Sequence, residues 1–426
     1  MPPLEEHPLR HELNAEVHAR PPVPLQCPEA VSYLALLHDA GSSNEAAHIK
    51  LLAAQLGLAE PDTDTGHVSL DAGEFRLKWE RHNEFSAYTF FRHAEAGDVT
   101  DEHALLSVPT VWRNNIPGQL LVATHIAIHA AGPNSPEDAI TTARSTGTST
   151  VAAQIAGGGG WVVTDFQIRD GYSRFLILNA SLTPRQAGRT VQRLLEIETY
   201  RIMALLAFPV AKQVRELLSR AEGELASLMD DMGRTASPND ERAVLDRLTL
   251  LAAEVEQSVA TTTFRFGAAA AYYQLVRQRI ADLRETRIPG FPTIEEFMER
   301  RLTPAINTCA TMARRQEDLS GRIARNSQLL RTRVDIELER QNQQLLTQMN
   351  HRVKLQLHLQ RTVEGLSIVA ITYYGSQLVH YLAKGAKEML VPLTPEHITA
   401  IAIPVIAGLV HLGLRRTRSL LESHET

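Results

Sequence analysis

Cysteine is almost missing from this 426-residue chain: Cys27 and Cys309, far apart in sequence, are the whole supply. That excludes a disulfide framework and a cysteine-built zinc site, and makes a reducing compartment the simpler expectation. A charge excess of one sign is lacking too. The 43 Lys and Arg stand against 49 Asp and Glu, for a net charge of -6. No nucleic-acid partner is therefore expected, since the mark of such a binder is a basic domain. The only glycine cluster, Gly157 to Gly160, is followed by the strand-like Trp161-Val162-Val163 with no lysine near. A phosphate cradle needs a helix after its glycines, so this spacing predicts a loop or joint. The first ten residues contain no basic stretch leading into an apolar run, so a cleaved secretory signal is not expected. What is present is a hydrophobic fraction of 44%, which excludes a disordered chain and allows two or three domains with a sizeable core.

The periodicity predicts an α+β fold. Residues 1–180 read as a cytosolic mixed α/β domain with short strands. Ala30 to His38 is a mostly apolar run, and Phe75, Leu77 and Trp79 alternate with polar residues at the period of a half-buried strand. Phe85 to Phe91 and Leu120 to Ile128 add two more strands. Trp161 to Ile168 and Tyr172 to Leu178 flank Asp170-Gly171, a hairpin signal. Pro133 to Thr150, rich in small polar residues, reads as a surface excursion.

Residues 181–303 read as a long-helix region. Thr183-Pro184 makes an N-cap and first turn. Leu194, Leu195, Ile197, Met203 and Leu206 form an apolar face running toward Pro209, which should kink or end the helix. A second long helix is predicted from about Asn239 to Thr286, and Ile288 to Pro292 breaks it. Thr293 with Glu296 then makes a capping box. Residues 304–362 read as a stalk helix that continues to Ala383, roughly 120 Å in all at about 1.5 Å per residue. Leu319, Ile323, Leu330, Val334, Leu338, Leu345, Met349 and Val353 keep one apolar side. Its polar interruptions, near Asn326 and Gln341, favour a stalk packed against the two preceding helices. A self-associating coiled coil, and with it a homo-oligomer, stays open as the second reading.

Residues 363–418 read as a transmembrane hairpin. Gly365 to Ala383 and Ile398 to Leu414 contain no Asp, Glu, Lys or Arg over 19 and 17 residues. As helices they measure roughly 28 and 25 Å against a hydrocarbon core of about 30 Å. Lys354 and Arg361 precede the first stretch, and Arg415, Arg416 and Arg418 follow the second. Lys384 and Lys387 in the loop are partly offset by Glu388 and Glu396. This bias predicts two spans with both termini cytoplasmic, and makes the lipid bilayer the expected partner.

No stretch assembles a convincing catalytic set. His7, Arg10, Asn14, Glu16, His18 and Arg20 form a dense N-terminal cluster in which Asn14 and His18 share a helical face. Its spacing does not match a His-Glu-X-X-His metal site, and a docked, hydrogen-bonded terminal segment is the simpler reading. Lys78 to Phe85 is a second polar-aromatic cluster, read as alternating charges on an exposed strand face. Glu196 and Glu198 fall on different sides of a helix, which argues against paired acid/base work and for salt bridges between stacked helices. Glu364 sits at the edge of the first predicted span and Ser367, Gln377 and His380 lie within it, where polar groups are candidates for function or for interhelical hydrogen bonding.

Several of these stretches resemble one family. His7-Pro8-Leu9-Arg10, Leu13-Asn14, Glu16, His18 to Pro21, Lys78-Trp79-Glu80, His82, Glu84-Phe85, Gly188-Arg189, Gln192 to Arg201, Leu330 to Val334 and Thr362 to Ser367 carry the likeness. Together they resemble the bacterial membrane-anchored proteins catalogued as domain-of-unknown-function family 3422. The resemblance implies a protein of the bacterial inner membrane and assigns no activity, cofactor or protein partner. A second likeness is architectural: an α/β domain, a stalk and a C-terminal hairpin are similar to CorA-type magnesium transporters. Those carry Tyr-Gly-Met-Asn where this chain has Tyr374-Gly375-Ser376-Gln377, and usually an acidic loop where this chain has lysines. The leading expectation is a non-enzymatic, membrane-anchored protein with an interaction or scaffolding role. A CorA-like divalent cation channel or transporter is the alternative, and a membrane-tethered enzyme using His7, His18 or Glu16 the third.

Overall fold

A computed structural model describes residues 6–11, 13–14, 21–38, 44–94, 103–132, 137, 140–141, 150–234, 238–385 and 394–422. The surface excursion predicted at Pro133 to Thr150 falls almost wholly outside them. The chain forms two compact units, Met1–Thr235 with Ala243–Ser327, and Ala236–Arg242 with Gln328–Thr426.

The first unit is α+β. Its strands are β1 (Glu29–Leu37), β2 (His67–Asp71), β3 (Arg76–Arg81), β4 (Phe85–His93), β5 (Gln119–Ala130), β6 (Val151–Ile155), β7 (Gly160–Thr164), β8 (Ser173–Asn179) and the two-residue β9 (Thr286–Arg287). They make one sheet in the order β2-β3-β4-β1-β5-β8-β7-β6-β9. Only β5 and β8 pair in parallel; the other neighbours are antiparallel. Each strand inferred from alternation is present. Asp170 and Gly171 close the Arg169–Tyr172 turn with φ of 52° and 88°. The glycine cluster is a turn joining the antiparallel β6 and β7.

Both faces of the sheet are covered. On one, Leu34, Leu77, Trp79, Tyr88 and Phe90 pack with Ile49 and Leu52 of helix α1 (Asn44–Gln55) and with Trp112 of α2 (Thr110–Asn114). On the other, Tyr33, Ala35, Phe85 and Ala87 pack beneath Val191, Leu194 and Ile197 of α3 (Pro184–Leu205). Thr183 and Gln186 form a reciprocal capping box at the start of α3. The helix ends one turn before Pro209. A proline ring clashes with the carbonyl four residues upstream, here that of Leu205, and the chain restarts as α4 (Ala207–Arg234).

Helix α5 (Pro238–Leu283) follows, then β9, and then the capped α6 (Ile294–Arg301). The 83-residue α7 (Thr303–Gly385) completes the first unit and runs on into the second. Buried Leu218 and Leu225 of α4, Leu248, Leu251 and Val255 of α5, and Leu319 and Ile323 of α7 form the helical core. Arg315 to Glu222 at 2.8 Å and Gln316 to Ser258 at 2.8 Å tie α7 to α4 and α5.

The apolar side of α7 corrects the stalk expectation. Leu319, Ile323 and Leu330 are buried, but Leu338, Leu345, Met349 and Val353 are exposed. The reason is helix length. Arg333 lies 3.8 Å from Glu241 in the first turn of α5, so α7 runs on past the start of α5 within about one turn of that contact.

Candidate functional site

The first unit contains a cavity of about 330 Å³ between the sheet and the helices α3 and α5. Strand alternation builds its floor. Lys78 and Glu80 project from β3 on the face opposite Leu77 and Trp79, and Ala87 and Thr89 project from β4 opposite Tyr88 and Phe90. The sheet register sets Lys78 across from Thr89, and Thr89 across from Tyr33 of β1. Helix α3 supplies the roof with Gln192, Glu196 and Thr199, which share one face at helical spacing, and with Tyr200 beside them. Arg279 of α5 closes one side.

The polar groups of this cavity are interlocked. Lys78 Nζ lies 2.9 Å from Glu80 Oε1 on the floor, and Glu196 pairs with Arg279 at the roof. Gln192 Nε2 donates to Glu196 Oε1 at 2.9 Å. Burial disfavours the charge on Arg279, but Glu196, with Tyr200 and Asp282, outweighs it and raises its pKa. Thr199 Oγ1 donates to Tyr33 Oη at 2.9 Å, and burial pushes the Tyr33 phenol up. Just outside, Glu84 accepts from Tyr272 Oη at 3.1 Å and pairs with Arg265, fastening the end of β3–β4 to α5.

This geometry corrects the reading of Lys78 to Phe85 as an exposed strand face. Lys78 is only 8% exposed, because α3 and α5 cover the side of the sheet that alternation alone leaves open. The salt bridges expected between helices are present: Glu196 reaches Arg279, and Arg193 lies 3.9 Å from Asp282. Glu198 instead takes a two-bond grip from Arg201 of its own helix, both bonds 2.6 Å. Sequence reasoning missed Tyr33, Thr199 and Arg279. A usable signal existed for α3, where Gln192, Glu196 and Thr199 make a polar stripe beside an apolar face.

The residues singled out from sequence do not gather at this cavity. His7, Arg10 and Asn14 are exposed; Arg10 pairs with Glu6 at 2.6 Å, and His7 Nδ1 accepts from the Leu9 amide at 3.2 Å. Glu16, His18 and Arg20 lie outside the described residues. Glu364 accepts from Gln360 at 3.3 Å, Ser367 bonds back to the Val363 carbonyl at 2.8 Å, and Gln377 is exposed. A buried Ser–His pair was not foreseen: Ser32 Oγ stands 2.9 Å from His125 Nδ1. Burial first, then His103 and Arg174, push His125 down to about 3. Ser32 is fully buried, so this pair is a neutral crosslink between β1 and β5. Among the described residues no three His, Cys, Asp or Glu stand close enough to hold a metal ion.

In the second unit, α7 and α8 (Pro395–Glu422) form a helical hairpin. Ile406 packs on Gly375, where an added Cβ would lie 3.2 Å from it. His380 Nδ1 shares a 3.0 Å hydrogen bond with Thr399 Oγ1. Helix α8 continues through Pro404. Among the described residues only Pro395–Arg416, with mean hydropathy 1.9, is long and apolar enough to cross a membrane. The expected first span, 365–383, is helical but falls short of that standard, because Ser367, Thr372, Ser376, Gln377, His380 and three tyrosines dilute it.

The family model described as "Protein of unknown function (DUF3422)" matches residues 5–421. No curated protein and no solved structure matches the chain. The likeness to CorA-type transporters therefore finds no support there.

Proposed function

The chain belongs to the DUF3422 family, and from that premise we propose that it is a non-enzymatic, membrane-anchored protein that presents its first unit for interaction or scaffolding. The observation that carries the reading is Pro395–Arg416, a span-length apolar helix with none of its central window buried. Exposed Ile401, Val405, Leu409 and Leu412 would meet water across its whole length unless lipid covers them. Exposed Leu366, Val369, Leu378 and Leu382 on the adjoining stretch of α7 support a second crossing. The Gly375 contact and the His380–Thr399 bond are the kind of small-residue and polar packing that joins helices in lipid. The positive flanks then favour the bacterial inner membrane with both termini cytoplasmic.

The cavity carboxylates support the non-enzymatic part. Glu80 lies 2.9 Å from Lys78, and Glu196 pairs with Arg279 and accepts from Gln192, so each carboxylate is engaged by a neighbouring side chain and neither stands free as an acid or base. The exposed α7 seam from Leu338 to Val353 favours self-association as a homo-oligomer. Membrane fractionation followed by alkaline carbonate extraction tests the anchor. The intact chain should stay in the pellet, and its release into the carbonate-soluble fraction would refute the reading.

A further inference from the structure

The cavity between β3, β4, α3 and α5 has a charge pattern that its packing does not require. Two ion pairs line it on opposite walls: Lys78–Glu80 on the sheet and Glu196–Arg279 on the helices. Replacing ion pairs held largely out of water with apolar residues of similar volume is commonly neutral or stabilising, and these four side chains are 11–31% exposed, so stability alone gives little account of both pairs facing an open space. The volume of about 330 Å³ is that of a small-molecule site.

The signs of the charges narrow the ligand. A purely anionic guest would meet Glu80 and Glu196 as well as the two cations, and a purely cationic guest would meet Lys78 and Arg279. Such like-charge approaches are unfavourable where the charged side chains keep only 11–31% of their surface in water. An uncharged polyol would cover both pairs without bringing a charge to either wall. A guest with one group of each sign avoids both penalties, since its carboxylate can approach Lys78 or Arg279 while its ammonium approaches Glu80 or Glu196. We infer that this cavity binds a small zwitterion, an amino acid or short peptide with both ends free. The apolar Phe85 and Leu195, also on the lining, would take its side chain. This inference does not depend on the membrane anchor, so either can fail without the other.

The test uses the purified full-length chain in detergent and isothermal titration with L-amino acids and glycyl dipeptides at about 1 mM, where even weak ligands occupy a site. At least one zwitterion should bind. Its N-acetylated and C-amidated analogues, each lacking one charge, should bind about tenfold more weakly or worse, the scale of one charge-assisted hydrogen bond. Lys78→Met on the sheet wall and Glu196→Gln on the helix wall should each weaken binding similarly while far-UV circular dichroism stays unchanged. No binding by any zwitterion overturns the inference. So does equal binding of the acetylated and amidated analogues, or of a neutral polyol such as sorbitol. The analogue series needs no substitution, so it decides the matter even where a variant fails to fold.

Discussion

Glu285 shows how a single side chain carries both structure and pH dependence. It lies half-buried after α5 and accepts the Ile294 and Glu295 amides at 3.1 Å each, capping the N-terminus of α6. Burial raises its pKa from the ordinary 4.5 to about 7, against the opposing pull of those two amides. A carboxyl with a raised folded-state pKa holds its proton more tightly when folded. Its contribution is therefore most favourable below 4.5, is lost as pH rises toward 7, and is level above that. The loss should be on the order of 3 kcal/mol. Thermal melts between those two values should show the decline, and Glu285→Gln should flatten it. Nothing in the sequence marks Glu285, because its burial and the arrival of α6 are both tertiary events.

At the scale of elements, α3 was the most legible and its docking the least. The Thr183 cap, Pro184 in the first turn and the apolar spacing of Leu194, Leu195, Ile197 and Met203 all act within a few residues, so the sequence displays them. The approach of the 21–25 segment to Gly188 is not local. A Cβ at Gly188 would stand 2.0 Å from the backbone oxygen of Val23, so only glycine lets the segment lie against the helix. Gly188→Ala should cost about 3 kcal/mol or more, seen as a lowered melting temperature, because backbone and not a flexible side chain must move. Strands β3 and β4 behave alike: their period of two was readable, but which element would cover the second face was not. That gap turned buried Lys78 into an expected surface residue. The strands β2 and β6 and the helix α1 were missed, having short or weakly patterned sequences.

For the whole molecule, α5 and α7 each run from one unit into the other, and the second unit leaves an apolar seam exposed at Leu338, Leu345, Met349 and Val353. An exposed apolar seam along a helix is the kind of surface a second copy of the chain can cover. If self-association covers it, the purified protein should be oligomeric in detergent, and Leu345→Glu with Met349→Glu should shift it toward monomer. Light scattering coupled to size exclusion measures both. An unmodified chain that runs as a monomer would remove the oligomer from the proposal while leaving the anchor in place.

The strands with clear alternation, the capped helices, the breaks near Pro209 and Pro289 and the apolar C-terminus were determined by the sequence alone, because each depends on residues a few positions apart. Tertiary structure decided the rest. Covering the second sheet face with α3 and α5 brought Tyr33, Lys78, Glu196 and Arg279 around one cavity, although they come from four elements spread over most of the first unit. Local spacing encodes which way a side chain points. What stands opposite it is set only when distant segments pack.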